Sequence, residues 1–78
     1  MTQLIKKEET IRGVTERNTI TSDIVTNNKG KKLAVIVIVS KLIHKTGSST
    51  QAGDILLTID EVEELSAKLT DLAEEMRE

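Results

Sequence analysis

The stretch from Thr58 to Glu78, TIDEVEELSAKLTDLAEEMRE, constrains this chain more than any other, because its pattern sets both a conformation and a side that must be buried. Val62, Leu65, Leu69, Leu72 and Met76 recur at spacings of 3, 4, 3 and 4, which on an α-helix places all five on one narrow stripe. The start of the helix is marked twice. Thr58 and Glu61 form a T-x-x-E capping box, and Leu57 with Val62 occupies the positions of a hydrophobic staple. A helix with one apolar stripe needs a surface to lay it on, so the rest of the chain is read for that surface.

Seventy-eight residues make one domain close to the lower size limit for an independent core. With no Cys there is neither a disulfide nor a thiolate zinc site, and with no Phe, Tyr or Trp the core must come from Ile, Val, Leu, Ala and Met. Association with a second copy is the remaining way to enlarge that core, so a homodimer is expected. The longest apolar run, Leu33 to Val39, is far short of a membrane span, and no signal-peptide pattern opens the chain, so a soluble, cytoplasmic protein is expected with no membrane partner.

Residues 1–9 read as an N-terminal arm or an edge strand, and residues 10–78 as a single domain. Thr10, Ile11 and Val14 suggest a short strand with Gly13 as a bulge, followed by a turn at Glu16-Arg17-Asn18. Asn18 to Thr26 is rich in Thr and β-branched residues and predicts a half-exposed strand. Asn27-Asn28-Lys29-Gly30 then supplies the residue types of a tight reversal. Leu33 to Val39 predicts the central strand, apolar on both sides and therefore in need of cover on both, from the C-terminal helix on one face and a second subunit or a curled sheet on the other. Lys45 to Gly53 reads as a mobile polar loop, and Asp54 to Leu57 as one short last strand. The expected class is α+β: a curved antiparallel β-sheet of about four strands followed by one long C-terminal helix.

The net charge of −2 hides a division. Residues 1–50 carry +5, through Lys6, Lys7, Arg12, Arg17, Lys29, Lys31, Lys32, Lys41 and Lys45 against four acids, whereas residues 51–78 carry −7. A split of this kind points to a polyanion-facing surface on one side, to an acidic face that meets a basic partner, or to an ordinary solvated helix face. Lys29, Lys31 and Lys32 cluster at the predicted hairpin, and Arg12, Arg17, Lys41 and Lys45 fit the outer surface of the sheet, an arrangement able to track a phosphate backbone.

No arrangement specifies a reaction. His44 is the one histidine and lacks companions at metal-ligand spacing; Gly47 to Gly53 lacks the ending of a phosphate loop; no serine stands in a G-x-S-x-G context. Glu63-Glu64 and Glu74-Glu75 are adjacent pairs, which point apart on a helix. The expectation is a protein that is not an enzyme, with no metal and no cofactor.

Two segments carry a resemblance. The hairpin Asn28-Lys29-Gly30-Lys31 leading into a long apolar strand, and the run Gly53-Asp54-Ile55-Leu56-Leu57-Thr58-Ile59-Asp60-Glu61-Val62-Glu63-Glu64-Leu65, are similar to the single-stranded DNA-binding domain of the transcriptional coactivator positive cofactor four and its bacterial and phage relatives. The likeness runs from about Asn18 to Glu78. It implies four strands of a curved antiparallel sheet and one C-terminal helix, with helices making the dimer contact and sheets forming basic grooves for unpaired strands. Carried over, it gives Val62, Leu65, Leu69, Leu72 and Met76 the dimer and core role, and Lys29, Lys31, Lys32 and Lys41 the phosphate contacts. The expected function is a small homodimeric protein that binds single-stranded DNA or RNA through a basic β-sheet surface, with Arg17, Lys29, Lys31, Lys32, Lys41 and Lys45 as the contact residues. The alternative is a protein-interaction module, a phage-like inhibitor or adaptor that meets a basic protein partner through its acidic helix.

Overall fold

In a computed structural model that describes all 78 residues, four antiparallel strands form one sheet and a single helix follows. The strands are β1 (Thr2–Ile11), β2 (Val14–Thr26), β3 (Lys32–His44) and β4 (Gly47–Leu57), and the helix is α1 (Ile59–Arg77). Sheet order follows chain order, so every connection is a hairpin. The expected class is therefore present, with strands longer and turns shorter than the local patterns indicate.

Each turn has a local cause. At Arg12-Gly13 both residues have positive φ, 53° and 79°, the signature of a two-residue I′ hairpin whose twist matches that of the strands it joins. Gly13 is thus the turn itself and not a bulge, and Glu16-Arg17-Asn18 lies inside β2, paired with Glu9, Glu8 and Lys7. The second reversal is organised by Asn27, whose Oδ1 accepts hydrogen bonds from the backbone N–H of Lys29 and of Lys31, each 2.9 Å, while Gly30 takes φ 78°. The third closes at Lys45-Thr46 between His44 and Gly47. Residues 47–53, expected as a mobile loop, are instead the first half of β4, in unbroken register with β3 from Gly47 to Leu57. Ser and Thr are compatible with a pleated edge, and the partner strand supplies the pairing that composition does not disclose.

Helix α1 begins as the capping box predicts. The Glu61 N–H donates to Thr58 Oγ1 at 3.2 Å and the Thr58 N–H donates to Glu61 Oε1 at 3.0 Å. Leu57 and Val62 of the staple line the same cleft, and Leu57, 9% exposed, is the most buried residue in the chain.

Alternation divides the sheet into two faces. Ala34, Ile36, Ile38, Ser40 and Leu42 of β3 share one face with Ile55 and Leu57 of β4 and with Ile20 and Ile24 of β2. This is the helix face, because Ile36, Ile38, Ile55 and Leu57 border Leu65 and Lys68 of α1 across an open cleft of about 390 Å³. Leu33, Val35, Val37, Val39, Lys41 and Ile43 point to the other, open face.

The helix does not cover its face of the sheet, although the apolar stripe of α1 and the doubly apolar β3 predict that it does. It approaches the sheet through its first turns, and Leu69, Leu72 and Met76 remain 54%, 49% and 76% exposed. The chain exposes 6609 Å² in all. A folded monomer of this mass exposes about 4,700 Å², so about 1,900 Å² of surface lacks the cover that a self-sufficient domain of this size provides.

Candidate nucleic-acid interface

β3 is 13 residues long, so at roughly 3.4 Å per residue the two ends of the sheet are about 40 Å apart. The structure divides the expected cationic residues between those ends. Lys29, Lys31 and Lys32 lie at the β2–β3 turn, the end from which α1 departs, whereas Arg17, Lys41 and Lys45 lie at the far end with the β1–β2 turn.

The far end is the more coherent group. On the open face, Arg17 of β2 is registered directly opposite Lys41 of β3, and Lys41 in turn opposite Thr50 of β4. Lys6 and Glu8 of β1 reach the same face through their pairing with Thr19 and Arg17. Thr10 and Thr15 join hydroxyls at 2.9 Å beside them, and Arg12 and Lys45 occupy the two turns that bound this end. One acid stands among these five cations. Glu8 accepts from Arg17 Nε at 2.8 Å.

Like charges directly opposite on adjacent strands repel. The Glu8 carboxylate offsets this for Arg17, but neither Lys41 nor Lys6 has a carboxylate within ion-pair distance. An anion placed over the Arg17–Lys41 pair relieves the repulsion and gains charge-assisted hydrogen bonds from both. The neighbouring Thr15, Thr19, Ser48 and Thr50 on the open face add neutral hydroxyls that donate to phosphate oxygens.

The other end is electrostatically different. Backbone and side-chain hydrogen bonds to Thr58 hold the Glu61 carboxyl below the usual carboxylate range, with a smaller contribution from the nearby Lys31 charge. Lys32 borders the same cleft as Glu63 and points to the helix face. Lys31 and Lys32 therefore stand beside the acidic first turns of α1, which lower the local positive potential. On the open face between the two ends, Asp23 and Asp54 flank Val35 and Val37. The six expected contact residues consequently do not form one continuous track.

Lys6 was missed by sequence reasoning. KKEE shows no period until β1 pairs with β2, after which alternation sends Lys6 and Glu8 to the open face and Lys7 and Glu9, themselves joined at 3.3 Å, to the other. His44 ends β3 on the helix face, exposed and opposite Gly47. No three His, Cys, Asp or Glu side chains converge in a way that could hold a metal ion, and no helix is long and apolar enough to cross a membrane. Val62, Leu65, Leu69, Leu72 and Met76 share one side of α1, yet none is buried within the chain.

Comparison with family models, with curated proteins and with solved structures finds no match to this chain.

Proposed function

We propose that this chain is a non-enzymatic, cytoplasmic homodimer that binds single-stranded nucleic acid on the open face of its sheet, at the end away from α1. The observation that carries the reading is the registered Arg17–Lys41 pair, flanked by Lys6, Arg12 and Lys45 and by a field of Thr and Ser hydroxyls, against one carboxylate. The four-strand and C-terminal-helix order agrees with the resemblance to the positive cofactor four domain, which supports the same reading.

Homodimerisation is supported separately by the uncovered area and by the α1 stripe. A missing cover of about 1,900 Å² per chain falls in the range of obligate homodimer interfaces, which bury roughly 2,000–5,000 Å² over both partners. With no aromatic side chain to stack on bases, phosphate contacts dominate binding. Affinity then falls steeply with salt. A patch that neutralises four phosphates gives a slope of about −3 in log K against log salt for a single strand.

The test is fluorescence anisotropy of a labelled oligonucleotide, single-stranded and duplex, at low and at physiological salt. Single-strand binding with that slope, lost in Arg17→Glu/Lys41→Glu, supports the reading; no binding at low salt refutes it.

One observation favours a second reading, in which the acidic helix meets a basic protein. Asp60, Glu63, Glu64, Asp71, Glu74 and Glu75 are exposed on α1, and none is engaged in an ion pair within the chain. Under that reading reversal of Glu63, Glu64, Glu74 and Glu75 abolishes partner binding and the oligonucleotide titrations stay flat.

A further inference from the structure

A sheet of four strands has two free edges, and here the two differ. β1 carries Lys6, Lys7, Glu8 and Glu9 along its middle, and its register with β2 shifts between Gln3 and Ile5. Charges and irregularities of this kind are how native sheets keep an edge from pairing. β4 has neither. Its register with β3 is continuous, and from Gly47 through Gly53 it contains no charged residue and no proline. From Gly47 through Gly53 the outer side of β4 thus presents an unobstructed row of backbone donors and acceptors.

We infer that β4 is the joining edge between two copies of this chain: the partner's β4 adds antiparallel to form one continuous eight-stranded sheet. The inference rests on the homodimer reading above and specifies where the copies meet.

The edge is compatible with its own copy. Antiparallel pairing about a two-fold axis is isologous and sets the segment GSSTQAG against its own reverse. With the axis at Thr50, Gln51 or Ala52, Asp54 falls opposite Thr46, Ser48 or Thr50, so none of these three registers brings like charges together.

The helices distinguish a second copy from any other extended strand. A two-fold axis normal to the sheet keeps the helix faces of both copies on the same side. Each α1 leaves the end of β4 and runs back beside Ile36, Ile38 and Ile55, next to the junction. The apolar stripes of the two helices are thereby brought to one face, over strands that each copy alone leaves open. A foreign peptide on the β4 edge extends the sheet but supplies no second helix for Leu69, Leu72 and Met76.

The chain contains no cysteine, which makes the geometry directly testable. Single substitutions Ser49→Cys, Thr50→Cys, Gln51→Cys and Ala52→Cys, with Lys7→Cys on β1 as the control, are oxidised mildly in the full chain and resolved without reductant. The same proteins are sedimented under reducing conditions. A residue at the axis faces its own copy at roughly 4.5–5.5 Å between Cβ atoms, close enough for a disulfide after small adjustments. One β4 position, or two adjacent ones, is expected to cross-link most of the protein, with the yield falling on either side and Lys7→Cys remaining uncrosslinked. Dimers in sedimentation with no β4 position exceeding Lys7→Cys overturn the edge inference and leave the homodimer reading standing. Monomers at every concentration overturn both.

Discussion

Truncating the distal part of the α1 stripe is the perturbation whose size follows most directly from the geometry. Leu69 and Leu72 are 54% and 49% exposed within one chain, so each has about half of its surface still to bury. Full burial of a Leu side chain stabilises by about 1.5–3 kcal/mol, so each half contributes about 1 kcal/mol on association. In the proposed homodimer, two residues on two copies give about 4 kcal/mol, which corresponds to about a thousandfold change in dimer Kd. Leu69→Ala/Leu72→Ala is the suitable variant, because Ala is the best helix former and leaves the backbone and the Thr58–Glu61 cap intact. The expected outcome in a sedimentation concentration series is a dimer-to-monomer midpoint raised about a thousandfold. Because so little is buried within one chain, thermal stability should become strongly concentration-dependent as well. Wild type and variant sedimenting identically, with equal thermal midpoints at all concentrations, would refute the argument that the stripe is an interface.

Three further outcomes follow from individual contacts. Arg17→Glu/Lys41→Glu should weaken single-strand binding at least tenfold and flatten its salt slope, whereas Lys29→Glu/Lys31→Glu should have the smaller effect, because that turn stands beside the acidic start of α1; anisotropy titrations measure both, and the reverse ranking moves the contact surface to the other end. Thr58→Ala removes one arm of the capping box and should cost about 1 kcal/mol, read as a drop in thermal midpoint of about 4–8 °C at fixed protein concentration. Glu61 carries a pH signature: its carboxyl titrates lower in the folded chain than in the unfolded one, so its contribution is complete above the ordinary carboxylate value and is lost as pH falls through the folded value. Glu61→Gln should therefore lose the corresponding slope in a plot of stability against pH on the acid side, and an unchanged slope would show that the cap carboxylate is not its source.

The parts of this protein legible from sequence are those decided by residues near one another in the chain. The capping box, the staple, the 3-4-3-4 stripe of α1 and the Asn27–Gly30 reversal depend on contacts within a few residues, and the structure contains them where the patterns place them. The seven apolar residues from Leu33 to Val39 likewise mark β3 without reference to any neighbour. Pairing partners decided the rest. Nothing in KTGSSTQAG distinguishes a loop from an edge strand until β3 is beside it, and Arg12-Gly13 becomes a turn only because Thr10 and Ile11 meet Thr15 and Val14. The fate of the charges was further from reach. A basic half and an acidic half are visible in composition, but the face that each side chain occupies depends on strand register, where a shift of one residue exchanges the two sides. Arg17 is brought opposite Lys41, 24 residues further along the chain, and Lys6 onto the same face, while Lys31 and Lys32 are set beside the first turn of an acidic helix. Those placements are long-range consequences of how four strands align, which is why the fold class could be read from the residues while the grouping of the charges could be read only from the folded sheet.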